Sequence, residues 1–181
     1  MNFETMTFRH PLLRDWLDLI GKCFDGINPA WIYDFLTEEP FLLIAGTEGG
    51  ALAGTVCLKF TPGWAYMMLL AVEPDRRCGG LGRLLWERAL KEAAARGKKG
   101  LVWECLAEDC LSDEEARSLA VRRKGFYARL GGRPLEGCRT RLPLIEAATE
   151  LRYDVMYYLL EPEADPLEGA REALGDGLIT E

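Results

Sequence analysis

The 181-residue sequence is poor in features that mark several protein classes. It contains a single histidine, and its six cysteines form no C-x-x-C pair, which argues against a zinc site and favours free thiols. No run of eighteen uncharged apolar residues occurs, and the first ten residues have neither the basic start nor the apolar stretch of a signal peptide. We therefore expect a cytoplasmic protein with no metal site and no contact with a membrane.

We expect no nucleic-acid partner, because such a partner needs a clustered basic surface and the acidic end of the sequence would oppose it. A basic stretch does occur on one predicted helix, where it would form a solvated face or meet cofactor phosphates: Arg117, Arg122, Arg123, Lys124 and Arg129. The negative charge is concentrated. Residues 161–181 hold seven acidic residues against one basic residue, Arg171, and so carry −6 of the net charge of −7. The hydrophobic content of 49% is enough for one sizeable core. We predict one domain over residues 1–160, followed by a solvated acidic tail over residues 161–181.

Hydrophobic periodicity predicts alternating groups of strands and helices. A strand, a long amphipathic helix and a buried strand follow one another over residues 65–106, and their short links predict that the two strands are parallel. The Glu48-Gly49-Gly50 turn signal between two apolar stretches predicts a β-hairpin. The predicted elements lie at residues 2–9, 11–24, 28–36, 41–47, 52–60, 65–72, 81–96, 101–106, 112–130, 133–142 and 151–160. Pro162 and Pro166 separate the last of these strands from a short helix and a glycine-rich end.

The turn before the long helix is predicted to bind an anion. Its glycines allow a ligand to approach the backbone, and the first N–H groups of the helix lack acceptors within the helix. The helix dipole and the guanidinium groups add positive charge that suits a diphosphate. The residues concerned are Arg76, Arg77, Gly79, Gly80, Gly82 and Arg83.

The spacing of these residues argues against two common nucleotide sites. No Gly-x-x-x-x-Gly-Lys-Ser/Thr run is present, and Leu85 stands where a dinucleotide fingerprint needs its third glycine. The full run Val72-x-Pro74-x-x-Arg77-x-x-Gly80-x-Gly82-x-Leu84 instead resembles motif A of the GNAT superfamily of acyl-coenzyme-A N-acyltransferases. A second run, residues 126–131 with the letters FYARLG, resembles the FYxxLG signature of the same family.

The resemblance implies both a fold and an activity. The fold would be α+β, with a mixed and mainly antiparallel sheet, a central parallel strand pair and helices on both faces. The activity would be transfer of an acetyl group from acetyl-coenzyme A to a primary amine of a small molecule or a peptide, with no metal. A homodimer is also a reasonable expectation for such a protein.

The resemblance also implies which residues bind the cofactor. The backbone of Leu70, Ala71 and Val72 would pair with the pantetheine arm, and the amide of Ala71 or Val72 would stabilise the oxyanion. The turn would hold the pyrophosphate, and Phe126 would lie beside the cofactor. The turn residues implied in this role are Arg77, Cys78, Gly79, Gly80, Gly82 and Arg83.

Two residues are predicted to move protons. Tyr127 matches the position of the family's general acid, and a phenol can donate to the leaving thiolate. Glu104 lies in the middle of an apolar strand, where burial would raise its pKa towards that of a base working near neutral pH. Glu108, Asp109 or a water molecule are alternatives for the base.

Some positions depart from the family pattern. Ala120, Arg123 and Gly132 replace the residues usual around FYxxLG, and residues 66–70 lack a carboxylate that many relatives have. The alternative function is therefore a non-catalytic sensor of acyl-coenzyme A or a partner-binding module.

Overall fold

The computed structural model describes residues 1–7, 9–24, 41–140 and 151–180. The chain divides into two compact units, the first made of Met1–Phe60 and Met67–Glu92 and the second of Thr61–Tyr66 and Ala93–Glu181. The short helix predicted at residues 28–36 lies outside the described residues, as does the link 143–150. Within the described residues, no helix is long and apolar enough to cross a membrane.

The described residues form a mixed α+β fold with mostly antiparallel strand pairs, as predicted. The six cysteines form no disulfide. In chain order the elements are β1 (Asn2–Met6), α1 (Leu13–Cys23), β2 (Phe41–Glu48), β3 (Ala51–Phe60), β4 (Ala65–Val72), α2 (Leu81–Ala95), β5 (Gly100–Leu106), α3 (Glu114–Arg129), β6 (Arg133–Thr140), β7 (Tyr153–Leu159), α4 (Pro166–Leu174) and β8 (Leu178–Thr180).

The first unit places its strands in the order β1-β2-β3-β4, with β1 and β3 antiparallel to β2, which confirms the predicted hairpin. Neighbouring residues of a strand point to opposite faces of the sheet. Thr55 accepts a hydrogen bond from the indole of Trp16 in α1 at 2.8 Å. A Cβ at Gly54 would lie 2.9 Å from Leu85 of α2. Helices therefore cover both faces of this unit.

The second unit begins with the predicted parallel pair, in which Ala65 pairs with Leu101 and Tyr66 with Val102. Its further strands follow in the order β5-β7-β6-β8, and each of these pairs is antiparallel. Val102 belongs to a buried cluster that includes Ala170 of α4. The ring of Trp103 faces the opposite way and lies 5.0 Å from the ring of Tyr127 in α3. Helices cover both faces here as well.

The prediction of a solvated tail is wrong for α4 and β8. Ala170 is fully buried, and β8 adds a strand to β6. The carboxylate of Glu172 accepts hydrogen bonds from the hydroxyl of Thr61 at 2.6 Å and the amide of Gly63 at 3.0 Å. The many acidic residues of this segment gave it a high net charge, although α4 also carries an apolar stripe that packs against the core. The domain boundary at residue 160 stays a prediction.

We expect that replacing Gly169 with alanine destabilises the second unit. A Cβ at Gly169 would lie 2.3 Å from the indole of the fully buried Trp64, which cannot move without opening the core. Overpacking of this kind outweighs the better helix propensity of alanine, and we expect a net loss of about 2 kcal/mol. Thermal denaturation should then show a melting temperature lower by roughly 4–8 °C.

The matched control is Gly21→Ala in α1, where an added Cβ meets nothing within 4 Å. That variant should gain about 0.5–1 kcal/mol, because alanine loses less backbone entropy on folding. Equal melting temperatures for the two variants would show that the packing of Trp64 tolerates a side chain at position 169.

Candidate active site

The turn that links β4 to α2 has a strained and open backbone. After a 3₁₀ turn over Pro74–Arg76, Cys78 has a φ of +67° and Gly80 a φ of +83°. The left-handed conformation is costly for a residue with a side chain, and such strain clusters at functional sites. A Cβ at Gly80 would meet nothing within 4 Å, so the backbone here is open to an approaching ligand.

Helix α2 begins directly where the turn ends. The carbonyl of Gly80 accepts a hydrogen bond from the amide of Leu84 at 3.2 Å, while the side chains of Leu81 and Leu85 are buried and fix the first turn of the helix. Gly82 and Arg83 therefore occupy the first helical turn, where N–H groups lack acceptors within the helix. These donors and the helix dipole make the turn suitable for a phosphate group.

The arginines of the turn all have partners within the protein. Arg76 forms an ion pair with Glu48, and Arg83 pairs with Glu87 at 2.7 Å. Arg77 donates to the carbonyl of Val72 at 3.3 Å. These side chains are exposed, and exposed pairs contribute little free energy, so a phosphate can compete for each guanidinium.

Sequence reasoning missed a second contact of Arg77. Its guanidinium also donates to the Sγ of Cys23, at the end of α1, at 3.4 Å. Cys23 in turn lies 3.7 Å from the carbonyl oxygen of Val72. Arg77 thereby ties the end of β4 to α1, a contact between residues 54 positions apart that has no local sequence signal.

Glu104 lies on β5 with its carboxylate held at one oxygen. Its Oε2 accepts a hydrogen bond from the hydroxyl of Tyr66 at 2.8 Å. Its Oε1 is buried and has no hydrogen-bond partner among the described residues. Burial raises the pKa of Glu104 to about 7, and the hydrogen bond from Tyr66 opposes that rise. A carboxylate with this pKa can accept or release a proton near neutral pH.

Tyr127 is buried in α3, with 5% of its surface exposed. Its ring lies 5.0 Å from the rings of both Trp103 and Phe126, and burial raises the pKa of its phenol. A neutral phenol is therefore the form that this site favours, and that form can donate a proton. Because Trp103 and Glu104 are neighbours on β5, Tyr127 and Glu104 lie on opposite faces of that strand.

The FYxxLG residues close α3 through the backbone. The carbonyl of Tyr127 accepts hydrogen bonds from the amides of Leu130 and Gly132, both at 2.9 Å. Gly131 has a φ of +89°, the conformation that commonly ends a helix. A Cβ at Gly132 would lie 2.9 Å from the indole of Trp103, which explains why glycine stands at this position.

The alternative bases are held in ion pairs. Glu108 pairs with Lys124, and Asp109 pairs with Arg139 at 2.8 Å. The hydrogen bonds from these cations lower the pKa of both carboxyls below their ordinary values. Both groups are therefore poorer bases near neutral pH than Glu104.

The helix that carries Tyr127 covers Glu114–Arg129, within the predicted span of residues 112–130. Asp113, rather than Ser112, is the N-cap residue, and its carboxylate accepts a hydrogen bond from the amide of Ala116 at 2.7 Å. Aspartate and serine cap helices about equally well, so sequence alone could not separate the two.

Comparison with known proteins gives a consistent family. The sequence profile described as "Acetyltransferase (GNAT) family" matches residues 7–131, a stretch that contains every predicted site residue. The mycothiol acetyltransferase of Clavibacter michiganensis subsp. michiganensis (strain NCPPB 382) is 36% identical over 93 residues, which are 46% of this chain and 30% of that protein. The match thus spans less than a third of the relative's length.

Solved structures share the fold at low sequence identity. A GNAT family acetyltransferase from Elizabethkingia anophelis with acetyl-CoA bound gives a TM-score of 0.69 at 15% identity, covering 88% of this chain and 97% of that chain. The aminoglycoside 6'-N-acetyltransferase from Enterococcus faecium gives a TM-score of 0.68 at 19% identity, covering 91% of this chain and 100% of that chain.

Proposed function

Because the chain belongs to the Acetyltransferase (GNAT) family, we propose that it transfers an acetyl group from acetyl-coenzyme A to a primary amine. The observation that carries this proposal is the buried carboxylate of Glu104, whose pKa of about 7 suits a base for an amine. Glu104 lies within residues 7–131, which match the acetyltransferase family profile. A base at this position therefore fits acetyl transfer to an amine.

The residues of the turn fit the pyrophosphate of coenzyme A. The backbone at Gly80 is open on its outer side, a Cβ at Gly79 would contact the carbonyl oxygen of Arg76 at 3.6 Å, and the first amides of α2 supply donors. Arg77 and Arg83 supply positive charge, and Cys78 contributes its backbone in the left-handed conformation. In the same proposal, the backbone of β4 at Leu70–Val72 pairs with the pantetheine arm, and Phe126 packs beside the cofactor.

Glu104 would act on the amine. Acetyl-coenzyme A, when bound, supplies an acetyl group that is already activated as a thioester, so the protein's task is to orient and to move protons. Amines are mostly protonated at neutral pH, and Glu104 takes a proton from the ammonium group. The free amine would then attack the carbonyl carbon, so that a C–N bond forms and the C–S bond breaks, and the nitrogen would release its second proton to water.

The other two groups would act on the developing charges. The backbone amide of Ala71 or Val72 donates a hydrogen bond to the carbonyl oxygen as negative charge builds there. Tyr127 would approach the leaving sulfur from the face of β5 opposite to Glu104, donate its hydroxyl proton there and recover a proton from water. These two contributions need neither a metal ligand nor a nucleophilic side chain.

The acceptor class is a small-molecule or peptide amine. The test is to measure calorimetric binding of acetyl-coenzyme A, coenzyme A, ATP and NAD, and then thiol release with a panel of amino acids, peptides and aminoglycosides. We expect tight binding of the two coenzyme A species only, and release of thiol with at least one amine. Tight binding with no turnover across the panel would favour the non-catalytic sensor, and no binding would reject both functions.

We expect Tyr127→Phe to lower kcat by about 10- to 100-fold while the Kd for acetyl-coenzyme A changes less than threefold. The ring keeps its contacts with Trp103 and Phe126, and the hydroxyl that would donate the proton is lost. Stopped assays of thiol release and calorimetry give the two quantities.

Tyr157→Phe is the matched control, because Tyr157 is a half-buried tyrosine on β7 that packs on the opposite face of the sheet, in the cluster around Trp64. A kcat for Tyr127→Phe equal to that of this control would remove Tyr127 from the proton-transfer role.

A further inference from the structure

The phenol of Tyr66 is placed by the parallel strand pair. Tyr66 pairs with Val102, and Glu104 lies two residues further along β5, so all three side chains share one face of the sheet. Tyr66 is 9% exposed, and its hydroxyl reaches Oε2 of Glu104 at 2.8 Å. The packed ring therefore delivers a fixed donor to a carboxylate that would otherwise rotate.

The two oxygens of Glu104 have different surroundings. Oε2 is occupied by the hydroxyl of Tyr66, whereas Oε1 is buried without a hydrogen-bond partner among the described residues. A buried polar atom without a partner is costly in a folded protein and often marks a site completed by a ligand. The asymmetry leaves one defined atom to receive a proton.

Two titratable neighbours of Glu104, Tyr153 and Cys105, are neutral at pH 7, and Arg123 of α3 adds positive charge close to both of them. Tyr153 lies on β7 opposite Leu106, which places it on the same face as Glu104. Burial and the charge of Glu104 raise the pKa of Tyr153 to about 12. Cys105 points to the other face of β5, and burial likewise raises its pKa. The hydroxyl of Tyr66 lowers the pKa of Glu104 more than the hydrogen bond from the backbone of Glu104 does, and it is the side-chain donor that stabilises the ionised carboxylate.

We propose that Tyr66 is a positioning residue that holds Glu104 at Oε2, so that Oε1 receives the proton of the acceptor ammonium. This inference rests on the proposed function of Glu104 as the base. The step moves one proton from the ammonium nitrogen to Oε1 and makes or breaks no other bond. It also requires an acceptor with a cationic primary amine, since a ligand must supply the hydrogen-bond donor that Oε1 lacks.

The experiment is the pH profile of kcat/KM for Tyr66→Phe. Removing a hydrogen bond to the charged carboxylate raises the pKa of Glu104. The acid limb of the profile, where activity falls as Glu104 becomes protonated, should therefore move up by about one pH unit. Turnover should fall about fivefold at pH 7 and recover above pH 9, with an unchanged Kd for acetyl-coenzyme A. Carbon-13 NMR titration of the glutamate carboxyls, without substrate, should show the same shift, with Glu104 assigned by its absence in Glu104→Gln.

Two controls separate positioning from packing. Tyr158→Phe removes a hydroxyl from the opposite face of the sheet, where Tyr158 pairs with Leu101, and should leave the acid limb in place. Incorporation of 3-fluorotyrosine at position 66 keeps the ring and strengthens the donor, so the limb should move down. This second variant also tests the proposal if Tyr66→Phe does not fold.

The outcomes distinguish this proposal from the one on which it rests. If Glu104→Gln is inactive but neither change at Tyr66 moves the acid limb or the NMR titration, the positioning role is wrong and the base stands. If Glu104→Gln keeps full activity, the base role fails, and the role of Tyr66 fails with it.

Discussion

The Glu104→Gln variant is expected to lose about 100- to 10,000-fold in kcat, the range typical of removing a general base. Glutamine keeps the shape of the side chain and can still accept the hydrogen bond from Tyr66, but it cannot take a proton. Steady-state assays with the best amine of the panel provide the measurement, and cofactor affinity should remain that of the wild type.

The same variant is expected to be more stable than the wild type at high pH. Burial raises the pKa of Glu104 from an ordinary 4.5 to about 7, so the folded state prefers the neutral carboxyl. The stability that this preference contributes is fully present below pH 4.5 and is lost as the pH rises through 7. Glutamine stays neutral, and above pH 8 it should raise the free energy of unfolding by up to about 3 kcal/mol.

A variant that loses activity while gaining stability cannot owe the lost activity to misfolding. Glu108→Gln is the matched control, since it neutralises a nearby carboxylate that is paired with Lys124 and has a lowered pKa. It should lose a little stability at neutral pH and keep the activity. Wild-type activity in Glu104→Gln, or an acid limb that persists there, would assign the proton to water or another group.

The Gly80→Asp variant is expected to weaken acetyl-coenzyme A binding by at least about 100-fold. The new side chain would occupy the open space beside the backbone at a φ of +83°, and its charge would repel the pyrophosphate. Isothermal calorimetry gives the Kd directly, and the thermal shift on adding acetyl-coenzyme A should disappear with it.

Gly97→Asp provides the control for strain alone. Gly97 follows the far end of α2, has a φ of +63°, and an added Cβ there also meets nothing within 4 Å. Its substitution should lower stability to a similar extent and leave the Kd unchanged. Equal Kd values for Gly80→Asp and the wild type would mean that the turn only connects β4 to α2.

Local sequence patterns predicted the elements that surround the site. The spacing from Val72 to Leu84 predicted both the tight turn and the start of α2, because glycine positions and buried leucines report local geometry directly. Glu104 stood out for a similar reason, as a charged residue within a strand that is otherwise apolar.

The contacts that define the site were beyond such patterns. The hydrogen bond between Tyr66 and Glu104 depends on the register of two parallel strands separated by a whole helix. The contact of Arg77 with Cys23 depends on how α1 packs. Both arise from long-range packing, for which a single sequence carries no periodic signal.

The end of the chain shows why charge can mislead. Counting acids over residues 161–181 predicted solvation, but Leu167, Ala170 and Leu174 recur at helical spacing and pack in the cluster around Trp64. A short helix can bury such a stripe while its acids stay outside. In this segment the helical spacing of apolar residues is therefore a better guide to burial than net charge.

The covering of Trp64 by α4 has a consequence for how the protein is made. Trp64 is synthesised about a hundred residues before Gly169, which its indole contacts in the folded state. At typical translation rates, on the order of ten seconds pass between the synthesis of Trp64 and that of α4, the helix that covers it. During that time the nascent second unit exposes an indole and an unpaired β6 edge, two features that favour aggregation, until β8 emerges.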